Sequence, residues 1–240
     1  MVNTRIQKAL PTVASIAVGV IPVLTLIWCF GVPRRLIMGW GALSYVAGVA
    51  VFKMPLYHLV VVRVLHGRVS NVWLGVSQGL VSAISELGAA LLFFIFVVPH
   101  LGLAQLIGFG TAAGALEAIV LPFIGNPLQG TPLEKHSSAV FERASSGLLL
   151  PWMSVLERVL ALIPHIAARG LVYVSFVSGN ILPAVLAVVT FASIDGGAYF
   201  AHLEQWEFDR VSVLRRVYLS LATIGVFQTA LFAIFYHALI

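Results

Sequence analysis

Long apolar runs separated by short polar connections organise this chain. The runs cover 11–32, 36–52, 71–98, 101–125, 148–177, 181–200 and 217–240. Most are near the ~20 residues that a helix needs to cross a bilayer. The second is weaker and rich in glycine. The segment 53–69 sets His58, Arg63, His66 and Arg68 among Val and Leu, a pattern that predicts an interfacial, amphipathic piece. The longest polar connection is 126–147, and 202–216 (HLEQWEFDRVSVLRR) is charged and amphipathic. Arg5 and Lys8 precede the first run. That run is longer than a signal-peptide core and lacks a small-x-small cleavage site, so it reads as a retained helix. There is no fixed-period repeat and no low-complexity tract. The expectation is one integral membrane domain over 1–240, an all-α, polytopic transmembrane helical bundle of about seven spans.

Composition sharpens this picture by exclusion. Hydrophobic residues make up 60% of the 240 and charged residues only 10%, against ~25% charged in an ordinary soluble domain. That supply of charge cannot cover a water-facing surface, which excludes soluble enzymes, nucleic-acid-binding modules and disordered proteins. The basic isoelectric point does not point to nucleic acid, because the basic residues are scattered at the ends of apolar runs. The single cysteine, Cys29, excludes a disulfide framework within the chain and reads as a lipid-facing or core thiol. Basic residues also set orientation. Arg5, Lys8, Lys53, Arg63, Arg68, Lys135, Arg143, Arg210, Arg215 and Arg216 fall on the N-terminal side. Arg34 and Arg35 fall in an opposite loop, and Arg169 lies near that opposite face. This bias predicts a cytoplasmic N-terminus and a C-terminus outside.

Five ionisable residues remain inside the predicted spans: Glu86, Glu117, Glu157, Arg158 and Asp195. Each costs at least ~2.5 kcal/mol at a helix centre on insertion scales, so each needs a partner or a function. Their depths predict convergence in the cytoplasmic half of the bundle. On the fifth run Arg158, His165 and Arg169 fall on one stripe, flanked by Ser154 and Glu157, with Ala161 and Ala168 between. This stripe must face protein rather than lipid. Two readings stay open: an ion-pair network that fixes helix packing, or a functional site. His165 has no second histidine at i+3 or i+4, so a two-histidine metal pair on one helix is absent. The small residues Gly108, Gly110, Ala112, Ala113, Gly114 and Ala115 predict close helix packing in the fourth run.

Four stretches in order, within about 75–200, carry a family resemblance. They are ISELGAA around Glu86, GFGTAAGALEAI ending at Ile119, ERVLALIPHIAARGLVY from Glu157, and FASIDGGA with Asp195. Together they resemble the YhfC-type intramembrane peptidases, distant relatives of the CAAX prenyl proteases and the CPBP group. The first is similar to the family's E-E-x-x-R helix, the second to G-x-G-H-G-G-I-E-A-I, the third to E-R-x-x-A-x-x-x-H-I-A and the fourth to H-x-x-x-D. The resemblance implies a prokaryotic cytoplasmic membrane, and carboxylates and histidines that hold a metal or activate water. This chain departs from the pattern at four positions: Ser85 for the first glutamate, Ala89 for the arginine, and Ala113 and Phe191 for the two histidines. Alanine and phenylalanine neither bind metal nor move protons, so the hydrolytic apparatus is incomplete.

The expectation is therefore a pseudoenzyme, a scaffold, accessory subunit or membrane-segment binder with a peptidase-like fold, and no confident catalytic residue. Its residual motif positions are Glu86, Glu117, Glu157, Arg158, His165 and Asp195. Its expected partners are the lipid bilayer and protein subunits of a membrane complex, with no nucleic acid, and it needs no cofactor. The segments 200–216 and 126–147 offer docking surfaces on the cytoplasmic side. One alternative is an active peptidase using the residual cluster with a divalent metal such as zinc. A second is a subunit that binds a haem or chlorin through His165, or that relays protons.

Overall fold

A computed structural model describes residues 4–30, 35–124, 150–208 and 210–240. The connection 126–147 lies outside them, as do the side chains of Arg5, Lys8, Cys29, Arg34, Arg35 and Ser154. The described chain is helical throughout its ordered elements and shows no strand. Seven rods follow in order: α1 (Thr4–Phe30), α2 (starting as Arg35–Val46), α3 (Asn71–Phe96), α4 (Leu103–Ile124), α5 (Leu150–Ser178), α6 (Leu182–Leu203) and α7 (Val211–Leu239). Six helical stretches are long and apolar enough to cross a membrane, and α1 adds the shorter apolar stretch Thr12–Trp28. The outer faces carry exposed large apolar side chains such as Val189, Val226, Phe227 and Ile234, as a lipid environment requires.

Two expectations change. The segment 53–69 is not a separate interfacial piece. Helix α2 runs on without a break through Leu65, by way of π-helical Ala47–Lys53, a short α turn Met54–Leu56, and π-helical Tyr57–Leu65. Pro55 supplies a physical reason for the altered winding: it has no N–H and crowds the preceding turn of a regular α-helix. Lys53 consequently leaves the loop tally and lies within a helix. The connection before the last helix is also shorter than expected: α6 ends at Leu203 and α7 begins at Val211, so it spans only 204–210. Gly67 and Gly179, at φ 74° and 70°, make the turns into α3 and α6.

Close helix packing rests on small residues, as the sequence indicates. On α3, positions 75, 79, 82 and 86 form one stripe, and its glycines meet Ala192, Gly196 and Phe200 of α6. A Cβ at Gly79 would overlap the carbonyl oxygen of Ala192. Gly79→Ala should therefore cost about 1–3 kcal/mol by forcing α3 and α6 apart. A denaturation titration in mixed micelles measures this, and an unchanged midpoint would contradict the packing. Helix α4 brings Gly110 against the backbone of Ile166, and Gly114 against Leu162 and His165 of α5. Ser15 of α1 donates to the carbonyl of Ala118 at 2.8 Å, which ties α1 to the same helix. Further out, Phe94, Phe109, Leu171, Phe191 and Phe232 anchor an apolar core shared by α3–α7.

Candidate functional site

The packing stripes bring their polar members together. Ser82 and Glu86 lie one turn apart on the α3 face that meets α6, next to Asp195. Glu117 comes from α4, Lys53 from α2, and Arg158, His165 and Arg169 from the predicted α5 stripe. Glu86 is 1% exposed, His165 4% and Arg169 0%. At that burial each charge must be met by another.

The contacts form one continuous chain. Lys53 Nζ donates to Glu86 Oε1 at 2.9 Å and to Asp195 Oδ2 at 3.1 Å. Ser82 donates its single hydroxyl proton to Asp195 and lies 3.3 Å from Glu86 Oε1. Arg169 Nη2 reaches Glu86 Oε2 at 3.5 Å, and its Nη1 lies 2.7 Å from His165 Nδ1. His165 Nε2 stands 2.7 Å from Glu117 Oε2. Arg158 then pairs with both Glu117 and Glu157. The order across the bundle is Asp195, Lys53, Glu86, Arg169, His165, Glu117, Arg158, Glu157.

Two features of this chain decide what it can do. The first is the state of His165. A guanidinium has only donors, so Nδ1 must accept from Arg169; the ring proton then sits on Nε2 and is donated to Glu117. The geometry thus selects a neutral imidazole with both nitrogens engaged. The second is charge balance. Among the described residues, Glu86, Glu117 and Asp195 stand against Lys53, Arg158 and Arg169, three acids against three bases. Glu157 is left at the edge, its side chain 44% exposed.

Glu86, Glu117 and His165 nevertheless each bring one ligand atom within 4.8 Å of the others. Two carboxylates and an imidazole are a donor set for a divalent metal, and their neighbours decide whether one fits. Ligation through Nε2 would move the ring proton to Nδ1, donor against donor with Arg169. Ligation through Nδ1 needs the place Arg169 occupies. Glu86 already faces Lys53 and Arg169, and a divalent charge would enter a cluster that is balanced without it. The residues as arranged do not fit a metal.

All six residual motif positions belong to this one network, with Asp195 and Glu157 at opposite ends. The altered positions lie beside it. Phe191 packs edge-on to His165 with ring centroids 5.4 Å apart. Ala89 and Ala113 are buried, and buried Ser85 makes no hydrogen bond among the described residues. Sequence reasoning misses Lys53 and Ser82, and places Arg169 near the outer face rather than in the network. A signal for Lys53 exists: it is an isolated charge in an apolar stretch, ten residues before the next basic residue. Tyr45 of α2, edge-on to His165 at 6.1 Å, also carries no mark in the sequence pattern.

Comparison with protein-family models, with curated proteins and with solved structures finds no match for this chain.

Proposed function

We propose that this chain is a non-catalytic multi-span membrane protein with a bundle of the YhfC peptidase-like kind, acting as a scaffold, accessory subunit or binder of membrane segments. The observation that carries the reading is the balanced network. Every acid at its centre faces an internal cation, and both nitrogens of His165 are engaged. A water-activating base needs a free lone pair beside the attacking water. A hydrolytic metal needs several protein ligands and an open position. Lys53 and Arg169 occupy those places. In this reading the network holds α2 to α6 in register, because its contacts join α2 to α3 and α6, α3 to α5, and α4 to α5. The protein lies in a prokaryotic cytoplasmic membrane with its N-terminus cytoplasmic. With Lys53 inside the bundle, nine of the basic residues still favour that side.

Metal analysis of the purified protein and incubation with a model transmembrane peptide test this reading. The expected result is no stoichiometric zinc and an intact peptide. Stoichiometric zinc together with cleavage that disappears in Glu86→Ala would overturn it.

The convergence of Glu86, Glu117 and His165 favours a second reading, an active metallopeptidase. It requires Lys53 and Arg169 to move off their partners. Unchanged processing in cells carrying Glu86→Gln and Glu117→Gln would count decisively against it. Pigment binding and a transmembrane proton path have less support. His165 has no free nitrogen for an iron or magnesium centre. Glu157 and Asp195 lie about 10–12 Å from helix ends on the same side of the bundle, so the polar chain runs across the bundle rather than through it.

A further inference from the structure

Helix α2 shifts its inner face at one point. In its outer half the buried positions include Ile37, Gly41, Tyr45 and Gly48, the three- and four-residue steps of a regular helix. Gly41 lies against Phe109 of α4 and Gly48 against Glu86 of α3, which fixes this half. The next position turned inward is Lys53, five residues on, followed by buried Tyr57 and Val61. The backbone takes up the extra residue. Met54 N–H reaches the carbonyl of Val49, five back, and His66 N–H reaches that of Val61 at 2.9 Å. Wide turns of this kind are rare and are found at functional sites. Counted at about 100° per residue from Gly48, regular winding would turn Lys53 about 140° and Tyr57 about 180° away from the inner face. Phe52 and Leu59, now exposed, would face inward instead.

The lower half of α2 is lightly held. Among the described helices it packs chiefly against α3, and its polar contacts to α6 are Lys53 with Asp195 and the Tyr57 hydroxyl with that of Tyr199 at 3.3 Å. Val51, Met54, Leu56 and Leu59 give its other sides an apolar surface, and hydrocarbon does not distinguish one apolar face from another. The choice of winding therefore falls on the few polar groups, Lys53 above all. Pro55 eases a wide turn but does not require one, because a membrane helix also accommodates a proline by kinking. We propose that α2 is a two-state cover over the acid pair, with Lys53 as its latch. In the latched state Lys53 pairs with Glu86 and Asp195 and holds the wide winding. In the released state the residues below Gly48 wind regularly, Lys53 turns outward, and Glu86 and Asp195 lose their shared cation. A lysine facing lipid is unfavourable, so the latched state is the resting one. A group that replaces Lys53 on the two acids selects the other state. The proposal goes beyond the non-catalytic reading and does not depend on it, since such a cover serves a binding site and a catalytic one alike.

The test uses the full-length protein in phosphatidylcholine vesicles, with Cys29→Ser removing its only cysteine. Nitroxide labels are placed one at a time on cysteines introduced at positions 56–64, and oxygen accessibility is read by electron paramagnetic resonance. Lipid-facing labels are accessible and inward-facing ones are not. With Lys53 present the minima should fall at 57 and 61. Lys53→Met should move them to 59 and 62, the inner positions of regular winding. Lys53→Arg, which keeps the charge, should leave them at 57 and 61. Lys53→Met/Asp195→Asn, which keeps acids and bases equal in number, should show the same shift as Lys53→Met and serves if the single variant does not fold. Minima that stay at 57 and 61 in either folded methionine variant overturn the proposal, as does a shift in Lys53→Arg. The scan contains neither substrate nor metal, so its outcome is separate from that of the cleavage and zinc experiment on the non-catalytic reading.

Discussion

Replacing Lys53 with methionine is expected to destabilise the bundle by about 3–5 kcal/mol, the range for removing one partner of a buried ion pair. The ammonium is the shared counter-charge of Glu86 and Asp195. Methionine keeps the length and apolar stem but leaves two carboxylates facing each other across Ser82. The effect should be reversed in large part by adding Asp195→Asn, which removes the repulsion and leaves Glu86 to Arg169. Unfolding titrations of the wild type, the two single variants and the double variant form a cycle whose coupling isolates the Lys53–Asp195 pair. A Lys53→Met protein as stable as the wild type would show that Lys53 does not sit in the network. So would a double variant no better than the single one.

Arg169→Met is expected to cost a similar amount, about 3–5 kcal/mol, through a different route. Arg169 is fully buried and is the largest side chain so enclosed among the described residues. It joins Glu86 to His165, so its loss leaves Glu86 with only Lys53 and leaves Nδ1 of His165 without a donor. Arg169→Lys should recover only part of the loss. A single ammonium cannot reproduce the planar fork that reaches Glu86 and the imidazole together. Nitrogen-15 spectra of the histidine ring add a direct readout. In the wild type the proton should reside on Nε2, and in Arg169→Met the two tautomers should become mixed. A full recovery by lysine, or a wild-type proton on Nδ1, would contradict the arrangement.

Much of the site is legible in the sequence. Glu86, Glu117, Glu157, Arg158 and Asp195 stand out because an ionisable residue in an apolar run is conspicuous and costly. The α5 stripe of Arg158 and His165 follows from helical spacing alone. Arg169 lies on the same stripe, but depth counted along the chain puts it at the outer face. Lys53 is hidden for a related reason. Pro55 and the basic residues after it resemble the end of a span, and hydropathy does not distinguish an interfacial helix from a π-wound continuation. The winding is a backbone matter, and it decides which way residue 53 faces.

The membrane class, the run of apolar helices and the identity of the buried acids were determined by the sequence alone. Each follows from the cost of exposing polar groups to hydrocarbon, which acts residue by residue. Pairing was decided only by the tertiary structure. Whether Glu86 meets a metal, a water or a lysine depends on the relative rotation of α2, α3 and α6, and that rotation is fixed by glycine contacts between helices distant in the chain. The balance of three central acids against three bases, the tautomer of His165 and the place of Glu157 at the edge, paired with Arg158, all follow from that packing. No local pattern records them, because electrostatic complementarity is a property of the assembled bundle.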